Sequence, residues 1–196
     1  MGEIIRMIVV LSLICGLSGL TLASLRDATR ERIILQELTF VQGPAIHSVL
    51  GEADNNPLAD RKTFQAPDGR EVTVFPAMRG GKLAGVALET SGKGYGGNLG
   101  VMVGFSLADD SLTGIGITTM KETPGVGSRT TLPSFTAQFS GHKAVNMALT
   151  KNGGDVDAVS GATISSTAAV DAVNQAVGIF TALKGEFLSA WGGAAQ

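Results

Sequence analysis

The chain has 196 residues, 44% of them hydrophobic and only 16% charged, where an average soluble domain carries roughly a quarter charged residues. This balance excludes a disordered, highly charged chain, and the length suits one ordinary domain plus a tail rather than two full domains. Fifteen Lys and Arg against seventeen Asp and Glu leave a net charge of −2. That is no basic excess for a nucleic-acid backbone.

One cysteine excludes an intrachain disulfide and any Cys-rich zinc or iron–sulfur site. Two histidines, His47 and His142, stand far apart and argue against a His-based metal centre. Glycine is the outlier at 27 residues, about twice its average share. Redox chemistry in such a chain needs a borrowed reactive group.

From Met7 to Leu25, between Arg6 and Arg26, no residue is charged. As a helix this run covers roughly 28 Å, close to the hydrocarbon thickness of a bilayer. A cleaved signal peptide competes with a retained anchor, because Thr21-Leu22-Ala23 offers a small-residue cleavage site. The apolar run exceeds the usual signal core of about 7–15 residues and continues past that site, which favours an anchor over residues 1–25. Ser12, Gly16, Gly19 and Ala23 share one helical face, a stripe that admits a neighbouring transmembrane helix. Ile14 before Cys15 disfavours lipid attachment and leaves Cys15 an ordinary thiol in the membrane. Arg26, Arg30 and Arg32 outnumber Arg6 and the terminal amine, so a positive-inside count alone puts the domain in the cytoplasm.

Residues 26–43 carry Ile33, Ile34, Leu38 and Val41 at helical spacing, which predicts a juxtamembrane helix ending near Gly43-Pro44. Ala45 to Leu50 reads as a short helix stopped by Gly51, and Asp54 to Arg61 as a polar loop. Strands are predicted at Glu71–Ala77, Leu83–Glu89, Gly100–Leu107 and Leu112–Thr118, the last two joined by a hairpin turn at Asp109-Asp110-Ser111. A short helix is predicted at Pro133 to Gln138. A longer one at Ser165 to Lys184 has Ala169, Val173, Ala176, Phe180 and Leu183 on one face. Strands in a block with helices at both ends predict an α+β domain with a mainly antiparallel sheet over residues 44–196.

Glycines and hydroxyls concentrate in three segments: 92–98, 121–127 and 155–166. The third runs into the last helix, whose start exposes unpaired N–H groups and a positive dipole end, a ready anion site. Ser160, Thr163, Ser165 and Ser166 add hydroxyls, and Gly161 permits close approach to the backbone. A simple helix cap by Ser160 or Thr163 is the plainer reading of the same residues. Neither a Walker A loop nor a dinucleotide fingerprint is present. Tyr95, the single tyrosine, sits among glycines as a possible stacking plate. Glu122 beside Thr123-Pro124-Gly125 can read the edge of a planar heterocycle or merely occupy a solvated turn. Lys93 and Arg129 flank these loops as charges able to steady an anion. Both histidines read as structural or solvated.

The combination Gly94-Tyr95-Gly96-Gly97, Glu122-Thr123-Pro124-Gly125-Val126-Gly127 and Asp157-Ala158-Val159-Ser160-Gly161-Ala162-Thr163, after an apolar anchor, resembles the FMN-binding family. That family includes the G subunit of the Rnf electron-transport complex and the C subunit of the Na⁺-translocating NADH:quinone reductase. The resemblance spans nearly the whole chain, and the compact length is nearer to the Rnf member. It implies a phosphoester of FMN on Thr163, made by a flavin transferase that reads Asp157. Ser160, Gly161, Ala162 and Ser165 would surround the phosphate, with Tyr95, Glu122, Thr123 and Gly125 flanking the flavin. Val126 stands where relatives commonly have leucine, and Met120-Lys121 replace a histidine-containing lead-in; neither touches the attachment motif.

The resemblance further implies an electron-transfer subunit without independent catalysis, working between ferredoxin and NAD and coupled to Na⁺ or H⁺ movement. Its partners would be other membrane and iron–sulfur subunits. It places the domain outside the cytoplasmic membrane, against the charge count. A flavinylated carrier of another extracytoplasmic reductase chain is the alternative, and an anchored scaffold without cofactor is the alternative of a different class.

Overall fold

The computed structural model describes residues 2–37, 40 and 42–192. It divides into two units, Met1–Phe40 and Val41–Gln196.

The first unit is helix α1, Gly2–Glu37, about 54 Å long at 1.5 Å per residue. Its stretch Gly2–Arg30 is long and apolar enough to cross a membrane. Large apolar side chains from Ile4 to Leu25 are exposed all round it, a pattern suited to lipid rather than to one packed face. Thr21 and Thr29 turn their hydroxyls back onto the carbonyls of Leu17 and Leu25, each at 2.8 Å, so they present no unpaired donor. The helix continues unbroken past Leu25 through the first part of the predicted juxtamembrane segment. Leu38, Val41 and the side chain of Ile34 lie outside the described residues.

The second unit is an antiparallel meander in the order β1 to β5: Lys62–Gln65, Glu71–Arg79, Lys82–Lys93, Asn98–Ser106 and Ser111–Thr119. The β2–β3 turn places Gly80 and Gly81 at φ of 58° and 74°, the left-handed pair that a two-residue hairpin needs. In the β4–β5 turn Asp110 takes φ 54°, which aspartate tolerates better than most residues. Lys184 holds its carboxylate.

Alternation along the strands gives the sheet two buried faces. One packs on α4, Thr163–Gly192, through Val86, Leu88, Val101, Val103 and Phe105 against Ala169, Val173, Ala176 and Phe180. Phe105 and Phe180 stack at 4.4 Å, an aromatic pair adding about 0.5–1.5 kcal/mol beyond area burial. The other face packs on α2, Gly43–Leu50, where Ile46, Val49 and Leu50 are buried. Glycine serves close approach on both faces. A Cβ at Gly92 would come within 1.9 Å of the Ala168 carbonyl in α4, and one at Gly104 within 2.8 Å of that of Val49 in α2.

The α+β architecture and all four predicted strands are present. Strand β1 is an addition: Phe64, its one large apolar residue, packs on Phe187 and Trp191 from the far end of α4. The short helix α3 spans Pro133–Thr136 and passes into a 3₁₀ turn at Ala137–Phe139. Helix α4 begins two residues before the predicted Ser165 and runs past Lys184. Its first residue is therefore Thr163.

Candidate functional site

Helix α4 runs antiparallel to β3, with Ala172 beside Thr90 and Ala168 beside Gly92. Its N-terminus therefore arrives where β3 turns into β4 and where the chain leaves β5. The three glycine- and hydroxyl-rich segments meet at this end of the sheet, around a cleft of about 460 Å³. That volume lies within the range of small-molecule sites, roughly 300–1,000 Å³.

Glu122 joins the segments. It is only 9% exposed, and its Oε2 accepts the Ser165 hydroxyl at 2.7 Å while Oε1 accepts the Gly96 N–H at 3.2 Å. Gly94 closes the β3–β4 loop by donating its N–H to the Gly97 carbonyl at 2.8 Å. Glycine at 94 and 127 leaves room for the carboxylate: a Cβ there would lie 2.1 Å from Oε1 and 2.5 Å from Oε2 respectively. The wall of the cleft is thus a hydrogen-bonded unit built around one buried acid.

The start of α4 is short of partners. Ala162 accepts the first helical bond, from the Ser166 N–H at 2.9 Å, so Ala162 is the N-cap. Alanine has no side-chain oxygen to offer the following amides. Among the described residues the N–H groups of Thr163, Ile164 and Ser165 meet no backbone acceptor outside the helix, and Ser160 and Thr163 make no capping hydrogen bond. This removes the plainer reading of those hydroxyls as caps. An anion in the cleft would meet free donors and the positive end of a 30-residue helix.

Of the residues singled out in the sequence, Tyr95, Glu122, Thr123, Gly161, Ala162, Thr163 and Ser165 line the cleft. Tyr95 is 74% exposed and presents its ring at the rim. Gly125, at φ 76°, lies off the cleft and shapes its loop by donating N–H to the Ser128 hydroxyl at 2.8 Å. Asp157 and Ser160 face the other way, into a smaller cavity of about 190 Å³ shared with Arg129 and Gln138. Lys93 is exposed at the end of β3, His47 is exposed on α2, and His142 lies 3.7 Å from Asp155.

Val126, Gly127 and Ile164 also line the cleft, and none of the three is among the site residues expected from the sequence. The first two complete the glutamate-containing loop motif. Ile164 carries a signal of its own, an apolar residue in the first turn of a helix whose inward face begins with small and hydroxyl residues; it is 53% exposed.

Residues 94–178 match the model of the FMN-binding domain. Over 93% of its length the chain is 33% identical to the G subunit of the ion-translocating oxidoreductase complex of Methanosarcina acetivorans, covering 97% of that protein. It is 31% identical to the corresponding G subunit of Cereibacter sphaeroides, over 91% of this chain and 85% of that one. Identity is 27% to the G subunit of the proton-translocating ferredoxin:NAD(+) oxidoreductase complex of Clostridium ljungdahlii, over 89% and 90%. Among solved structures, the C subunit of the Na(+)-translocating NADH-quinone reductase of Parabacteroides distasonis superposes with a TM-score of 0.52 at 23% identity, over 67% of this chain and 71% of that one. That likeness concerns the fold.

Proposed function

The chain belongs to the G-subunit family of ion-translocating oxidoreductase complexes, and from that premise we propose that it is a membrane-anchored electron-transfer subunit carrying FMN covalently on Thr163. The carrying observation is the placement of Thr163: first residue of α4, half-buried, beside three unclaimed amides and an open cleft.

The residues present fit the group. The alanine N-cap leaves donors that suit a phosphodiester, and the dipole stabilises its charge by about 0.3–1 kcal/mol. The open space at Gly161, where a Cβ would meet nothing within 4 Å, leaves access to the backbone. The exposed Tyr95, Val126 and Ile164 side chains offer apolar surface for a planar ring system. Bound there, FMN supplies uptake and release of one or two electrons. Glu122 keeps the wall in place by holding Ser165 and Gly96, and Thr163 Oγ is the covalent tether. Side-chain proton transfer is not required of the chain.

In this reading electrons pass between ferredoxin and NAD by way of other subunits of the complex, membrane and iron–sulfur subunits among them. The domain stands on the extracytoplasmic side. A covalent tether suits that side, where a lost cofactor would not be replaced from a flavin pool. The three arginines after Leu25 weigh the other way, and protease accessibility in intact cells tests the orientation.

The test of attachment is co-expression with a flavin transferase, denaturing electrophoresis and in-gel flavin fluorescence. Fluorescence in the wild type and none in Thr163→Val supports the tether. A fluorescent Thr163→Val band, or a wild type with the mass of the bare polypeptide, refutes it.

A further inference from the structure

The cavity behind the attachment segment contains a contact with no role in the site described so far. Gln138 accepts the Asp157 N–H on Oε1 at 2.7 Å and donates Nε2–H to the Asp157 carbonyl at 3.2 Å. One side-chain amide thus pairs with both backbone groups of a residue 19 positions away, as a neighbouring strand would. The segment is fixed at two further points. Upstream, the Val156 carbonyl accepts the Thr150 N–H at 2.9 Å. Downstream, the Val159 N–H donates to the Ser166 hydroxyl at 3.0 Å. Gln138 lies on the turn that buries Phe135 and Phe139, whose rings meet edge to face at 5.4 Å. The result is a backbone pinned at Asp157 that turns at Val159–Ala162, where the Ala162 N–H donates to the Val159 carbonyl at 2.9 Å, with the exposed Asp157 and Ser160 lining the open cavity.

We infer that Gln138 is a positioning residue for the covalent modification of Thr163, fixing the backbone at Asp157 so that the modifying enzyme can bind the segment that leads to Thr163. This rests on the reading of Thr163 as the flavin attachment point. In the modification an Oγ–P bond forms at Thr163 and its hydroxyl proton leaves. The phosphoanhydride bond of a flavin dinucleotide donor breaks, and the nucleoside monophosphate departs. Gln138 takes no part in those bonds. The Thr163 hydroxyl is placed by α4 and Ala162, so loss of the Gln138 contact weakens binding of the protein substrate while leaving the chemical step intact.

The experiment uses the full chain in detergent, a purified flavin transferase and flavin adenine dinucleotide, with flavin fluorescence of the denatured band read against time. Gln138→Ala is expected to raise the KM for the protein about fivefold or more, the scale of one or two lost hydrogen bonds, with kcat within about twofold. Gln138→Glu keeps the acceptor for the Asp157 N–H and loses the donor, and is expected to fall between; it decides by the same ratio if Gln138→Ala does not fold. Gln175→Ala, which removes a surface glutamine bonded to the Ser91 carbonyl, should match the wild type. A wild-type KM in the folded Gln138 variants, or a defect confined to kcat, overturns the role of Gln138 alone. A wild type that takes up no flavin overturns the attachment reading and this inference with it.

Discussion

Ser165 donates its hydroxyl to Glu122 at 2.7 Å across 43 residues of chain, tying the first turn of α4 to the loop that follows β5. The bond is buried, and Glu122 spends its other oxygen on Gly96. A glutamate beside a turn in the sequence is therefore an internal strut, and its effect on a ligand is exerted through the shape of the cleft.

Glu122→Ala should destabilise the flavin-free domain by about 1–3 kcal/mol, because Ser165 and the Gly96 N–H lose their buried acceptor. Urea unfolding of the detergent-solubilised protein measures it. A loss below about 0.5 kcal/mol, the size of an ordinary surface change, would show that the carboxylate holds nothing together.

Gly127→Ala should also destabilise, by about 1–3 kcal/mol, because its methyl group would press on a carboxylate already held at both oxygens. The two substitutions should not add. In Glu122→Ala the Oε2 contact at 2.5 Å is gone while the Cβ of residue 122 at 2.8 Å and Ser165 Oγ at 2.9 Å remain, so the further cost of Gly127→Ala should shrink in part. A double-mutant cycle reads this coupling, and strictly additive losses would contradict the geometry.

Tyr95→Ala separates a ligand contact from a fold contact. With the side chain 74% exposed, unfolding of the flavin-free protein should change by less than about 0.5 kcal/mol. The flavin absorption band and reduction potential of the loaded protein should both shift. Unchanged spectrum and potential would take Tyr95 out of the site.

The β4–β5 turn carries a pH signature remote from the cleft. Hydroxyl hydrogen bonds from Ser106 and Ser111 hold the Asp109 carboxyl below the usual aspartate range. A folded pKa below the unfolded one means that the contribution to stability is present above the unfolded value. It is lost as pH falls through the folded value. Asp109 is fully exposed, so the effect is small and best followed at the residue itself. An NMR titration should find its midpoint lowered, and Ser111→Ala should move that midpoint upward.

Four strands and the long helix are legible in the sequence because their patterns are local: alternating or continuous β-branched runs, and apolar residues every three or four positions. Strand β1 is not, since a four-residue strand whose one large apolar side chain needs Phe187 and Trp191 leaves no pattern of its own. The start of α4 lies two residues ahead of where the periodicity puts it, because the N-cap falls on Ala162, which has no capping side chain, and Thr163 becomes the first helical residue. That weak cap is the feature that leaves amides free in the cleft. Gln138 has no mark at all, because its role depends on meeting a backbone segment 19 residues away.

Composition and order of residues alone carried the long apolar N-terminal helix, the α+β class and the Asp157–Thr163 motif shared with the FMN-binding family. These follow from local propensity, hydrophobic spacing and motif order, which a linear reading carries intact. Tertiary structure alone decided which groups face the same space. It gathered Tyr95, Glu122 and Thr163 at one end of the sheet, turned Asp157 and Ser160 to the other side, and gave Glu122 to Ser165. The reason is physical: buried hydrogen bonds and backbone approaches are settled by antiparallel packing of α4 on β3, which no short window of sequence contains.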